Sequence, residues 1–133
     1  NSMIYHDQIP DEPRYIAGSL TAGIDDLRNA YPWVDIVVMS PTFAYAVDEN
    51  GKYVSSDMQK NEWNVGLSLY FMKEYETAFD NQVSFVDNFY GAIHEDIASD
   101  YLTDNLHLNE EGRKLIAKRM YDSLTALQNL QKQ

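Results

Sequence analysis

The sequence predicts an α/β fold, and three observations carry that prediction. Two short runs, 34–39 and 83–86, are almost continuously apolar and rich in Val and Ile, the pattern of strands buried on both faces of a parallel sheet. Stretches with apolar residues at helical spacing lie before and after each run. Pro32 and Pro41 bracket the first run, as breaks between helix, strand and loop. Alternating helix and buried strand is the repeat from which α/β domains are built.

The elements follow in order. Residues 5–13 are polar, contain Pro10 and Pro13, and read as an irregular lead-in. Ile16, Leu20, Ile24, Leu27 and Tyr31 then mark one face of a helix, with Pro13 suited to its first turn and Pro32 at its end. The first strand runs to Met39 and stops at Ser40-Pro41. Residues 43–56 form a hairpin insertion, because Asn50-Gly51 sits between Tyr45, Val47 and Tyr53, Val54. Helical spacing of Trp63, Leu67, Tyr70, Phe71 and Phe79 competes with alternation at Val65, Leu67, Leu69 and Phe71, and the length of the stretch favours a helix over 62–80. After the second strand, 89–97 is expected to be a short helix and 100–108 a loop. Asn109 caps a last helix whose apolar face is Ile116, Met120, Leu124 and Leu127, with Glu110 and Glu111 in the first turn where the helix dipole favours anions. Two central-looking parallel strands among several helices make a poor sheet on their own. The chain therefore reads as the second half of a three-layer α/β/α domain.

Composition limits the function. The 133 residues are 44% hydrophobic and 23% charged, an ordinary globular mix. No apolar run approaches the length of a membrane span. The net charge is −11, and residues 1–112 carry 20 acids against five bases, which argues against nucleic acid. Five bases, Arg113, Lys114, Lys118, Arg119 and Lys132, stand against one acid in 113–133, and they read as a solvated helix face. The chain has no cysteine, so disulfides, thiolate catalysis and Cys-ligated zinc are excluded. No signal peptide is visible, and the compartment stays open.

The segment 103–113, Thr-Asp-Asn-Leu-His-Leu-Asn-Glu-Glu-Gly-Arg, is the most specific in the chain. Asp104 and His107 lie three apart on a loop that runs into a capped helix. A histidine base needs one ring nitrogen held by an acceptor, and a carboxylate three residues earlier can fold back to supply it. The bland alternative is a loop hydrogen bond. Asp87 at a strand end could meet a ligand, though a cap on the following turn is the expected role. His94, Glu95 and Asp96 point apart on a helix and make a poor metal site. Trp63, Tyr70, Phe71 and Tyr75 are expected in the core, whereas Tyr45 and Tyr53 of the hairpin are placed to overhang a cleft.

Residues 104–117 resemble the last signature block of the SGNH, or GDSL-type, hydrolases: Asp-x-x-His, then Asn, Gly and an amphipathic helix. Leu108 stands where proline is frequent. The resemblance implies the flavodoxin-like three-layer fold and a serine esterase or acyl hydrolase. It also implies the residue roles: His107 as general base and acid, Asp104 as its orienting carboxylate. It implies a small ester substrate, an acylated sugar or lipid among the candidates, and no cofactor or metal.

The family's nucleophile sits on a Gly-Asp-Ser block, and none of the nine serines here lies in one. Ser19 falls inside the first helix and Ser40 ends a strand. The expectation is therefore a C-terminal part carrying Asp104 and His107, with the serine upstream. The competing reading is a non-catalytic interaction domain that associates with itself or a partner through open sheet edges. A receiver-like or flavodoxin-like binding domain is a weaker third.

Overall fold

The computed structural model describes residues 12–42, 44–47, 49–104 and 106–131. Most of the lead-in, Phe43 and Asp48 of the hairpin segment, Asn105 and Lys132 lie outside them. The fold is α/β. Helix α1 (Glu12–Ala30) leads to strand β1 (Val37–Met39), the hairpin β2 (Tyr45–Val47) and β3 (Tyr53–Ser55), and helix α2 (Leu67–Asp80). Strand β4 (Ser84–Val86), a short helix α3 (Ala98–Tyr101) and the long helix α4 (Glu110–Gln131) complete it.

Strands β1 and β4 pair in parallel, with Val38 opposite Phe85. Among the described residues neither strand has another neighbour, so each has one open edge. Helices α1 and α2 pack together, and Ile24, Val38 and Ala78 form the core between them and the sheet. Helix α4 lies against both strands. A second cluster, Ile93, Ala98 and Leu102, packs under Tyr45, Leu108 and Leu115 beside the hairpin.

Helix α1 covers the stretch its periodicity predicts. Ile16 and Ile24 are buried, whereas Leu27 and Tyr31 at its end are exposed. Its C-terminus is tied to that of α2 by Arg28, which donates to the Asn81 carbonyl at 2.6 Å. Helix α2 ends in a Schellman turn: Val83 N–H bonds Ala78 O, Gln82 N–H bonds Phe79 O, and Gln82 adopts φ 54°.

Several boundaries differ from the sequence expectation. The first strand starts at Val37 rather than Val34, which is exposed like Trp33. Both strands are also less covered than expected, since Val37 and Met39 are only half-buried. Helix α2 starts at Leu67 rather than Glu62. Asn61 Oδ1 accepts the backbone N–H groups of Trp63 and Val65, both at 3.0 Å, and Asn64 has φ 62°. This closes a loop that a helix would have to break. The expected helix over 89–97 does not form. Asp87 Oδ1 accepts from Phe89 and Tyr90, and Ser40 Oγ accepts from Asn88 and Phe89. These bonds hold the chain in turns until the 3-10 segment Glu95–Ile97. Within 100–108, Asp100 and Tyr101 belong to α3 rather than to loop. Asp87 therefore serves as a cap, its expected role.

The hairpin is antiparallel, and Gly51 supplies the positive φ of 76° its turn requires. Its base is clasped by Ser56, whose hydroxyl bonds both the N–H and the carbonyl of Ala44. On α4, Ile116, Leu124 and Leu127 of the expected face are half-buried, Met120 is exposed, and Gly112, Leu115 and Arg119 also turn inward. Arg119 is thus not part of a solvated basic face. Its Nε donates to Asn88 Oδ1 at 2.8 Å and its NH2 to the Asp87 carbonyl at 2.6 Å.

Candidate functional site

The candidate site is built on residues 102–109, the eight between α3 and α4. An isolated bridge joins Leu102 to Leu108, so the loop is pinched shut at its base. Inside it, the Thr103 N–H bonds the His107 carbonyl at 2.8 Å. Asn109 anchors the exit. Its N–H bonds Tyr101 O, its Nδ2 donates to Asp100 O at 2.8 Å, and its Oδ1 accepts from Gly112 N at 2.9 Å. The last bond is the helix cap expected from the sequence. Gly112 is where α4 meets α3: a Cβ there would stand 2.3 Å from Tyr101 O and 3.0 Å from Leu108. A side chain would push α4 away from the loop. The Asn and Gly of the motif thus locate the loop rather than act in chemistry.

Asp104 and His107 meet. Oδ2 of Asp104 lies 2.8 Å from Nδ1 of the imidazole, and Oδ1 accepts the backbone N–H of His107 at 2.6 Å and of Leu106 at 2.8 Å. These bonds, the His107 backbone N–H first and its ring second, hold the Asp104 carboxyl well below the usual range. It is ionised at neutral pH and can only accept, so Nδ1 is the ring nitrogen that donates to it. Both side chains are mostly exposed, at 58% for Asp104 and 73% for His107. The arrangement can take a proton at Nε2 from a group placed against it and hold the resulting imidazolium beside a carboxylate.

His107 forms one wall of a groove of about 770 Å³. The end of β1 contributes Pro41 and Thr42, the hairpin base Ala44 and Ser56, and α2 contributes Leu67. Gln59, Leu106, Leu108 and Arg113 complete it. Sequence reasoning missed most of this lining, since it comes from four separate stretches. Only the hairpin's position near a strand end hinted at it. Tyr45 does not overhang the groove but packs on Ile93, Ala98 and Leu102. The side chain of Tyr53 is among those not described. Tyr70 and Phe71 are buried as expected. Tyr75, in contrast, is half-exposed, edge-on to Phe85 at 5.2 Å. Among the described residues no three His, Asp or Glu side chains converge as metal ligands.

A second cleft, of about 730 Å³, runs along β1 under α1, lined by Ile16, Leu20, Ile24 and the β1 residues. Glu74 of α2 also lines it, with Oε2 buried and without a hydrogen-bond partner. Burial pushes its carboxyl up to about 7. Among the described residues no helix is long and apolar enough to cross a membrane.

No protein-family profile and no curated protein matches the chain. Solved structures do. A crystal structure 22% identical to the chain superposes with a TM-score of 0.68 over 84% of the chain and 52% of its own length. A protein from Lactobacillus plantarum, 20% identical, gives 0.67 over 84% and 53%. The salicylyl-acyltransferase of a tetracycline biosynthetic pathway, 16% identical, gives 0.61 over 88% of the chain and 33% of the enzyme. At these identities the likeness is one of fold. The chain spans about half the length of the first two structures and a third of the acyltransferase.

Proposed function

We propose that the chain is the C-terminal part of a GDSL-type serine esterase or acyl hydrolase, with a nucleophilic serine supplied by a segment N-terminal to it. The carrying observation is the Asp104–His107 pair: a carboxylate on Nδ1 at 2.8 Å and Nε2 left free beside a groove. In this reading His107 takes the proton of the serine hydroxyl as its oxygen attacks the ester carbonyl. It then gives that proton to the leaving alkoxide, and the acyl-serine is hydrolysed by water through the same base. Asp104 fixes the tautomer and stabilises the imidazolium, and a positioned base of this kind is worth roughly 10²–10⁴ in rate. Likeness in fold to a salicylyl-acyltransferase supports acyl chemistry.

Three features support a nucleophile from outside the chain. Ser40 is buried and accepts two backbone N–H bonds. Ser56, the groove's own serine, has its hydroxyl occupied on both sides by Ala44. The open edge of β1 and the apolar cleft along it suit further strands of a longer protein. The same cleft, with the exposed Leu69, Met72, Tyr75 and Phe79 of α2, supports the second reading, an interaction domain without catalysis.

The test is ester turnover with 4-nitrophenyl acetate. The longer protein from the source gene should turn it over, lose that activity with His107→Ala, and react at a serine upstream of residue 1 with a fluorophosphonate. Chain 1–133 alone should show little or none. Turnover by the chain alone that His107→Ala abolishes would refute the missing nucleophile. A longer protein with neither turnover nor labelling favours the interaction domain.

A further inference from the structure

We propose that the groove beside His107 binds an ester that carries a carboxylate elsewhere in the same molecule, and that Arg113 selects it. The proposal rests on the hydrolase reading and names its substrate class.

The cations of the last helix are spent unequally. Lys114 faces Glu110 and Glu111, each at 3.3 Å, and Lys118 bonds Asp122 at 2.5 Å. Arg119 is committed to Asp87 and Asn88. Arg113 differs. One of its N–H groups donates to the Leu108 carbonyl at 3.1 Å, and the others have no protein partner among the described residues. That single bond holds the guanidinium at the groove wall and leaves a fork of donors free.

The groove itself is selective in what it lacks. The chain carries 21 Asp and Glu, yet among the described residues no acidic side chain lines this groove. Among the described residues, Arg113 and His107 are the lining groups able to hold positive charge. The side chains of Thr42 and Gln59 also line it, half-buried and with no hydrogen-bond partner among the described residues, as further donors. Pro41, Leu67 and Leu106 supply an apolar floor for a short chain. A few convergent polar groups on an apolar wall is the usual form of a small-molecule site. The Arg fork matches a carboxylate by two parallel hydrogen bonds, which a lysine cannot reproduce. Elsewhere a net charge of −11 repels anions, so this wall is where an anionic ester would be tolerated.

The test compares two esters of equal skeleton, monomethyl succinate (an anion) and dimethyl succinate (neutral), titrated into isotopically labelled chain 1–133 at low salt. The Arg113 Nε–H and His107 ring signals are followed by NMR. The monoester should bind about tenfold or more tightly than the diester, the worth of one charge-assisted contact. Arg113→Gln should remove the preference, Arg113→Lys should keep part of it, and added salt should weaken it. Equal affinities, no shift with either ester, or a preference that survives Arg113→Gln would overturn the proposal. Should Arg113→Gln fail to fold, Arg113→Lys and the salt series decide in its place. This binding needs no serine, so it stands or falls separately from the turnover assay that tests the hydrolase reading.

Discussion

Asp104 holds His107 twice: one carboxylate oxygen takes the backbone N–H at 2.6 Å and the other faces ring Nδ1 at 2.8 Å. Orientation of the imidazole and closure of the loop are therefore the same event. Because Leu106 N–H joins the first oxygen, one side chain organises the whole turn. The histidine needs no packing to be held, which is how a residue so exposed can keep one tautomer.

Replacing Asp104 by Ala should release both functions. On the proposed hydrolase reading, ester turnover by a longer protein with its serine is expected to fall by about 10²–10⁴, with KM little changed. In chain 1–133 the Nδ1–H signal of His107 should vanish into exchange with water. A ring that stays ordered in Asp104→Ala would show that the loop, not the carboxylate, sets it. The sign of the pH effect follows from the depressed carboxyl. The bonds to Asp104 stabilise the fold above its unfolded value of about 3.9, and that contribution is lost as pH falls toward the lower folded value.

Glu74 should give the opposite pH dependence. Its carboxyl is raised from 4.5 to about 7 by burial, so the folded chain holds a proton that the unfolded chain has released. Stability is therefore lost as pH rises from about 4.5 through 7, and the loss levels off above that. Glu74→Gln should melt higher than the parent at pH 8 and differ little at pH 4. Thermal melts across that range check it, and a parallel pair of curves would contradict it.

Gly112→Ala should cost about 1–3 kcal/mol, as overpacking does, because the new methyl would meet Tyr101 O at 2.3 Å. Backbone shifts should be largest at Leu108 and Tyr101, not along α4. Urea melts and an amide spectrum report both, and a neutral substitution would place the helix contact elsewhere.

Arg119→Ala should cost about 1–3 kcal/mol, since it strands the side-chain oxygen of Asn88, a residue 1% exposed. Adding Asn88→Leu or Asn88→Ala to it should cost less than the two single changes summed, because the stranded oxygen is then gone. Additive melts would deny the coupling.

What was legible in the sequence was local. The cap at Asn109, the hairpin at Gly51 and the helix over Ile16 and Ile24 all depend on neighbours within a few residues. Helix α2 starts five residues later than its periodicity predicts, because Trp63 fits the helical face of Leu67, Tyr70 and Phe71. The competing bonds to Asn61 leave no mark in the apolar pattern. The stretch 89–97 failed for a longer-range reason, as its turns are held by Ser40, 48 residues upstream of Asn88.

Asp104 and His107 are three residues apart, so their meeting was implicit in the order of residues: a short loop leaves a carboxylate few other places to go. The groove was not. Thr42, Gln59, Leu67 and Arg113 come together only after α2, α4 and the hairpin have packed against one parallel pair of strands. Arg113 and Arg119 look alike in the sequence, six residues apart on one helix. Packing turned one inward to the end of β4 and left the other a free fork beside the histidine, because that choice depends on which helix face the sheet covers.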